Sequence, residues 1–160
     1  MIEIILLIIL TSFAVPSFFG APYVPTLGPY VPVAFDLLDL APGQTILELG
    51  CGDGKVVLAA AKRGLNVVGY ELNPILVVVA WLRTFRYRKQ VTIVWGNFFT
   101  KSLPRADGIF CFIMPKFMGA IDKKISASQL APIKLVSFAM PIPDRRVTKK
   151  KDNVLLYLYK

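Results

Sequence analysis

The amino-acid sequence predicts an α/β fold built on a doubly wound, mostly parallel sheet. Short runs rich in valine and isoleucine alternate with longer segments of helical spacing, which is typical of strands joined by crossover helices. The segment "ELGCGDGK" at 48–55 places three glycines between an apolar run and a helical one. A glycine-rich turn between a strand and a helix is where α/β proteins bind nucleotide-like ligands.

The remaining elements follow from apolar spacing and from signals at their ends. Gly64 closes the helix that follows the glycine-rich turn, and Pro74 opens the next helix at its first turn. The short chain after the fifth strand has no room for another helix, which predicts an antiparallel hairpin at the sheet edge of a Rossmann-like fold. The predicted strands are 45–49, 66–70, 91–95, 108–114, 133–139 and 153–159, and the predicted helices are 33–41, 55–64, 74–89 and 116–130.

Residues 2–19 carry Glu3 as their only charge and predict an N-terminal hydrophobic helix that anchors the chain in a membrane. A cleaved signal peptide, which would lack its usual basic start here, and a buried helix are the alternatives. All 19 basic residues lie at or after Lys55, so the positive-inside rule predicts a cytoplasmic main domain. We expect an anchor at 1–19, a Pro-rich linker at 20–32 and the main domain at 33–160.

The net charge of +9 predicts an anionic partner. The densest basic run, at 145–151, favours lipid headgroups near the anchor, and nucleic acid is a second candidate. A solvated hairpin loop that binds no partner is the alternative interpretation of the same basic run.

Cysteine and histidine content argues against metal chemistry. The chain has no histidine, and its two cysteines, Cys51 and Cys111, are far apart in the sequence. No zinc-binding spacing is present, so we expect no metal site, and both cysteines are expected to act as small apolar side chains. The usual general base of enzymes is also missing.

The pattern around the glycines indicates which ligand binds there. The dinucleotide fingerprint G-x-G-x-x-G would require glycine where Lys55 stands. Glu48, two residues before Gly50, would repel a pyrophosphate but attract a ligand that carries an ammonium and a sulfonium, as S-adenosyl-L-methionine does. Glu71 ends the second strand, where a carboxylate can accept hydrogen bonds from ribose hydroxyls.

The strings "ILELGCGDGK", "GYELNP" and "GNFF" resemble motifs of the class I, seven-strand methyltransferases that use S-adenosyl-L-methionine. Together with "PYVPT" and the ending "LYLYK", they narrow the resemblance to the small protein-lysine methyltransferases related to the ATP synthase c-subunit lysine methyltransferase. The resemblance implies methyl transfer to a protein lysine at or near a membrane. It also fits an N-terminal hydrophobic segment.

The resemblance implies a role for each matching residue on the cofactor side. The methionine part would be held by Glu48 and the backbone of the glycine loop, which Asp53 helps to shape. The ribose would bind Glu71, and the adenine would contact the loop after the third strand. The implied cofactor residues are Glu48, Gly50, Cys51, Gly52, Asp53, Glu71, Leu72, Asn73, Asn97, Phe98 and, in the linker, Thr26.

On the acceptor side, the resemblance implies that Met114 and Pro115 border the reaction cavity and that Tyr23, with Thr26, closes over the cofactor. An aromatic face at Tyr23, Tyr30 or Phe99 would hold the incoming ammonium by a cation–π contact, or these rings simply pack under the linker. The chain departs from its relatives at Phe138, where a histidine often follows the serine of the fifth strand.

Two other functions remain open at this stage. A nucleic-acid methyltransferase would suit the basic charge, but the chain has "IMPK" after the fourth strand instead of an Asp/Asn-Pro-Pro-aromatic motif. A non-catalytic scaffold protein of the same fold is the second alternative, although the intact carboxylates and glycines argue against it. We expect the protein to be a monomer.

Overall fold

The computed structural model describes residues 1, 3, 28–128 and 130–160. These residues form four helices, one 3₁₀ turn and seven strands. The helices are α1 (Tyr30–Leu38), α2 (Lys55–Lys62), α3 (Pro74–Thr84) and α4 (Pro115–Ala127), and the 3₁₀ turn is Phe85–Tyr87. The strands are β1 (Thr45–Leu49), β2 (Asn66–Glu71), β3 (Val91–Trp95), β4 (Gly108–Cys111), β5 (Ile133–Phe138), β6 (Lys149–Lys151) and β7 (Val154–Tyr159).

The seven strands form one sheet in the order β3-β2-β1-β4-β5-β7-β6. The first five strands are parallel to their neighbours, and β7 runs antiparallel to both β5 and β6. The predicted parallel sheet with a C-terminal antiparallel hairpin at its edge is therefore confirmed.

Apolar side chains cover both faces of the central strands. One cluster packs between the sheet and helices α1 to α3, and it includes Phe35, Val57 and Phe110. The second cluster packs under α4 and includes Ile109 and Met118. Strand β4 is buried on both faces and its sequence is continuously apolar, as central parallel strands require, whereas β1 also carries Thr45 and Glu48.

Several element boundaries differ from the sequence prediction. Helix α1 begins at Tyr30, inside the predicted linker 20–32, because Pro32 lies in its first turn, where a missing N–H costs nothing. Strand β4 ends at Cys111 and not at residue 114, since Pro115 already starts α4. The predicted helix 74–89 ends at Thr84 and continues only as a 3₁₀ turn.

The predicted membrane location is corrected by the structure. Over the ranges described above, no helix combines the length and the apolar character that crossing a membrane requires. The segment on which the prediction rested, residues 2–19, lies outside the described residues except for Glu3. The N-terminal hydrophobic helix is therefore not confirmed.

Candidate functional site

The candidate site lies at the carboxyl edge of the parallel strands, where three loops meet. The strand order places the loop after β1 (50–54) beside the loops after β2 (72–73) and β3 (96–98). Ligands of open α/β sheets bind at this edge. The structure thus brings the predicted cofactor residues between Glu48 and Phe98 into one region.

Hydrogen bonds and close packing shape the loop after β1. The amides of Gly50 and Cys51 both donate to the carbonyl of Tyr70, at 2.9 and 2.8 Å, so the loop starts against β2. Gly54 has φ of +77°, and a Cβ built there would lie 2.9 Å from the Cα and Cβ of Ala80. Position 54 therefore requires glycine both for its left-handed backbone and for the contact with α3.

Glu71 joins the loops after β1 and β2 through its carboxylate. Its Oε2 accepts a hydrogen bond from the amide of Gly52 at 2.8 Å. Its Oε1 accepts hydrogen bonds from the amides of Leu72 and Asn73, each at 2.8 Å. Since each carboxylate oxygen can accept about two hydrogen bonds, Oε2 keeps the free acceptor capacity.

Glu48 is a buried acid without a complete set of partners. Its side chain is 4% exposed, and its Oε2 finds no hydrogen-bond partner among the described residues. Burial raises the pKa of Glu48 well above its ordinary value, and the nearby charges of Asp53 and Glu71 raise it further. A backbone hydrogen bond from Val57, in the first turn of α2, acts in the opposite direction. An unsatisfied buried carboxyl beside a glycine loop fits the ammonium of S-adenosyl-L-methionine.

Asp53 is held by two basic side chains at the other end of the loop. Its Oδ2 lies 2.8 Å from Nη1 of Arg83 and 3.5 Å from Nζ of Lys55. Its Oδ1 also accepts a hydrogen bond from the amide of Lys55 at 3.3 Å. These contacts fit a residue that shapes the loop, because they neutralise the carboxylate before any ligand arrives.

Leu72 and Asn73 already accept hydrogen bonds from neighbouring parts of the protein. The Oδ1 of Asn73 accepts hydrogen bonds from the amides of Ile75 and Leu76, at 2.9 and 3.4 Å, and so caps α3. The carbonyl of Leu72 accepts a hydrogen bond from the indole of Trp95 at 3.1 Å. Both residues lie at the border of the candidate site, but the side chain of Asn73 caps α3.

The loop after β3 carries the predicted adenine contacts. Oδ1 of Asn97 accepts a hydrogen bond from the amide of Phe99 at 2.9 Å, which fixes a tight turn. The buried Phe98 ring lies 4.2 Å from that of Phe99, between centroids. From α4, Nζ of Lys124 donates hydrogen bonds to the carbonyls of Phe99 and Lys101, at 3.0 and 2.8 Å, and holds the turn in place.

The predicted acceptor residues are only partly within the described structure. Met114 precedes α4 and is half-buried, and the exposed Pro115 is the first residue of that helix. Both lie just beyond the carboxyl end of β4. Tyr23 and Thr26 lie outside the described residues, so their predicted closure over the cofactor stays a prediction.

The two cysteines are buried, as expected for small apolar side chains. Burial raises the pKa of Cys51 well above its usual value and that of Cys111 to about 12, so neither thiol is ionised at neutral pH. Among the described residues, no group of three or more His, Cys, Asp or Glu side chains is placed to hold a metal ion.

Part of the basic run at 145–151 has a structural role. Arg145 pairs with Asp122 of α4 and donates a hydrogen bond to Oγ of Ser126 at 3.0 Å. Its guanidinium lies 3.9 Å from the ring centroid of Tyr159, whose hydroxyl also donates to Asp122 at 2.7 Å. Arg145 is therefore committed to joining the hairpin to α4.

Two residues that support the site were missed by sequence reasoning. Arg83 is 30 residues from its partner Asp53, and Lys124 is 25 residues from Phe99. Neither side chain belongs to a local motif, so only the pairing of the elements in space reveals them.

The fold and site define a class. A sheet in the order β3-β2-β1-β4-β5-β7-β6, with carboxylates on both sides of a glycine loop after β1, belongs to the seven-strand methyltransferases, whose cofactor is S-adenosyl-L-methionine. The RNA methyltransferase from Salinibacter ruber, solved in complex with S-adenosyl-L-homocysteine, has the same fold. Its TM-score is 0.79 at 24% sequence identity, over 84% of this chain and 93% of that one.

Within this class, the chain belongs to the ANTKMT methyltransferase domain family, which it matches over residues 48–149. The adenine nucleotide translocase lysine N-methyltransferase of Mus musculus is 32% identical over 81% of this chain and 57% of its own length. The ATP synthase c-subunit lysine N-methyltransferase of Xenopus laevis is 30% identical over 77% of this chain and 55% of its own length. The family predicted from the motifs is confirmed, and the chain spans a little over half the length of these two relatives.

Proposed function

We propose that the protein transfers a methyl group from S-adenosyl-L-methionine to a lysine side chain of another protein. The observation that carries this proposal is the pair of carboxylates, Glu48 and Glu71, on the two sides of the glycine loop. The choice of lysine is supported by the relatives, which are named for lysine N-methylation.

We assign the cofactor contacts from the free capacity of each group. Glu48 accepts the ammonium of the cofactor, since its Oε2 finds no partner among the described residues. Glu71 receives the ribose mainly through Oε2, because two amides already occupy its Oε1. Phe98 offers an apolar wall to the adenine, and Asn97 offers its second carbonyl lone pair to the amino edge.

We place the catalytic domain at residues 30–160, since α1 starts at Tyr30 and packs on β5 and β7. In this division, the residues before α1 supply Tyr23 and Thr26 as the cover of the cofactor. Met114 and Pro115 border the cavity that admits the acceptor.

The chemistry requires orientation more than acid–base groups. When bound, the cofactor supplies a methyl group on a sulfonium, and in-line attack by the amine forms the N–C bond as the S–C bond breaks. The lysine has to lose its proton before the attack. The chain contains no histidine, so we expect burial of the amine to lower its pKa and release the proton to water.

Labelling identifies the acceptor. Purified protein is incubated with isotopically labelled S-adenosyl-L-methionine and with separate membrane and soluble extracts, and mass spectrometry locates the label. The proposal expects label on lysine, and a membrane protein is the expected carrier. The Glu71→Ala variant is the matched control, and it should transfer much less label.

Two results would contradict this proposal. Label confined to RNA or DNA bases would favour the nucleic-acid alternative. Cofactor binding without any transfer to either extract would favour a non-catalytic protein of the same fold.

A further inference from the structure

Three aromatic rings meet at the edge of the sheet next to the glycine loop. The register pairs Cys111 with Ser137, so the next residues, Phe112 and Phe138, are neighbours just beyond the paired part of β4 and β5. Their ring centroids are 4.9 Å apart in an edge-to-face arrangement. Tyr30, the first residue of α1, places its ring 4.6 Å from that of Phe138.

The rings belong to the same face of the sheet as helices α1 to α3. Phe138 is 6% exposed, whereas Tyr30 and Phe112 are only half-buried, so their rings border the edge and do not lie in the middle of the core. Phe99 is another ring that was predicted from the sequence to hold the ammonium. It packs with Phe98 and Phe117 in the cluster under α4, on the other face of the sheet. The structure therefore separates Tyr30 from Phe99, which sequence reasoning treated alike.

The chain after Phe138 is held in a fixed path. Ala139 has φ of +59°, an uncommon conformation for a residue with a side chain, and its amide donates to the carbonyl of Asn153 at 2.7 Å. The hydroxyl of Ser137 donates to the carbonyl of Met140, and the amide of Ile142 donates to the hydroxyl of Tyr157 at 3.0 Å. These bonds set the position of the Phe138 ring before any acceptor binds.

We propose that Tyr30 and Phe112, with the buried Phe138 packed against both, form the acceptor wall, an aromatic surface that holds the ammonium of the substrate lysine by cation–π contact. This inference rests on the proposed function and deepens it. Aromatic faces attract ammonium and methylated ammonium groups through the ring quadrupole, and they also pack against the methylene stem of lysine. The wall favours a cation on a flexible stem, and among its three rings only Tyr30 carries a group, its hydroxyl, that can form a hydrogen bond with a nucleobase edge.

The test uses two probes of equal shape and different charge. Choline and its neutral isostere 3,3-dimethylbutan-1-ol are titrated into the intact protein saturated with S-adenosyl-L-homocysteine, with NMR as the readout. Choline should bind more tightly than the alcohol. Tyr30→Leu and Phe112→Leu should each weaken choline binding by about fivefold and leave binding of the alcohol nearly unchanged.

Two further measurements separate this role from packing. Progressive fluorination of the Phe112 ring, which keeps its shape but weakens its quadrupole, should weaken choline binding in step. Phe85→Leu is the control, because Phe85 is an exposed ring just past the end of α3, and its loss should change neither affinity.

Equal binding of the two probes, no binding of choline, or fluorinated proteins that bind choline as the wild type does would each overturn the acceptor wall. The failure of the proposed function is a separate result. It would show as label on nucleic acid in the extract experiment, and it would remove lysine as the occupant even if choline were preferred.

Discussion

Glu71 and Gly52 are joined by a hydrogen bond of 2.8 Å from the glycine amide to Oε2 of the carboxylate. This bond connects the loops after β1 and β2, 19 residues apart in sequence. One side chain therefore sets the relative position of the two loops and keeps acceptor capacity for a ligand between them.

Glu71→Ala should weaken binding of S-adenosyl-L-methionine by roughly 1.5–3 kcal/mol, the usual cost of losing hydrogen bonds to a charged group. Glu71→Gln keeps one acceptor oxygen and should fall between the wild type and the alanine variant. Calorimetric titration measures both affinities, and thermal unfolding checks that the variants fold. Unchanged affinity in a folded Glu71→Ala variant would refute the ribose assignment.

Removal of the charge on Glu48 should raise the stability of the protein and weaken its binding of the cofactor. The folded pKa of Glu48 is raised, so its contribution to the free energy of unfolding is complete below its ordinary pKa of 4.5 and is lost as pH rises above that value. Glu48→Gln cannot ionise, so it should be more stable than the wild type at pH 7. The same variant should bind S-adenosyl-L-methionine more weakly, because it lacks the charge that we assign to pairing with the ammonium.

Denaturant unfolding across pH 4–8 tests the first half of this prediction, and titration tests the second. Asp36→Asn is the matched control, since the Asp36 side chain is 60% exposed and its substitution should change stability by less than about 0.5 kcal/mol. A Glu48→Gln variant that is less stable than the wild type at neutral pH would show that the buried carboxyl is paired.

Gly54→Ala should destabilise the protein more than Gly43→Ala does. Both glycines have positive φ, at +77° and +88°, so both substitutions cost about 1–2 kcal/mol of backbone strain. At Gly43 the added methyl meets no atom within 4 Å, whereas at Gly54 it meets Ala80 at 2.9 Å. The clash should add about 1–3 kcal/mol, measured by denaturant unfolding. Equal losses would mean that α3 moves away at no cost.

Lys124→Met should loosen the turn after β3 and weaken cofactor binding several-fold. The ammonium donates to the carbonyls of Phe99 and Lys101, and its removal leaves both without this donor. The free energy of unfolding should fall by about 1–2 kcal/mol. Lys123→Met is the control, because Lys123 lies next to it on the same helix. If the two variants behave alike, the turn does not depend on Lys124.

Strong local signals made most of the fold predictable. The predicted limits of β1 and β3 match the structure, because turn residues bound both apolar runs. The end of β4 was placed too late because Phe112 and Ile113 continue the apolar run after strand pairing has ended. Strand β6 consists of three exposed lysines, which carry no strand signal, and it forms because β7 offers a free edge.

The candidate site was likewise predictable only where a local pattern in the sequence marks the residue. The spacing around the glycines was enough to predict that Glu48 and Glu71 lie beside the glycine loop, because both stand near the carboxyl ends of neighbouring strands. The supporting contacts of Arg83 and Lys124 could not be predicted, because each joins elements far apart in the sequence. The pairing of Phe112 with Phe138 likewise depends on the register between β4 and β5.

The most direct test of the central claim is a calorimetric titration of the intact protein with S-adenosyl-L-methionine, S-adenosyl-L-homocysteine and NAD. The two adenosyl ligands should bind and NAD should not, because we assign Glu48 to an ammonium and Glu71 to a ribose, and the glycine loop lacks the dinucleotide spacing. Binding of NAD, or no binding of either adenosyl ligand to the folded protein, would contradict the account.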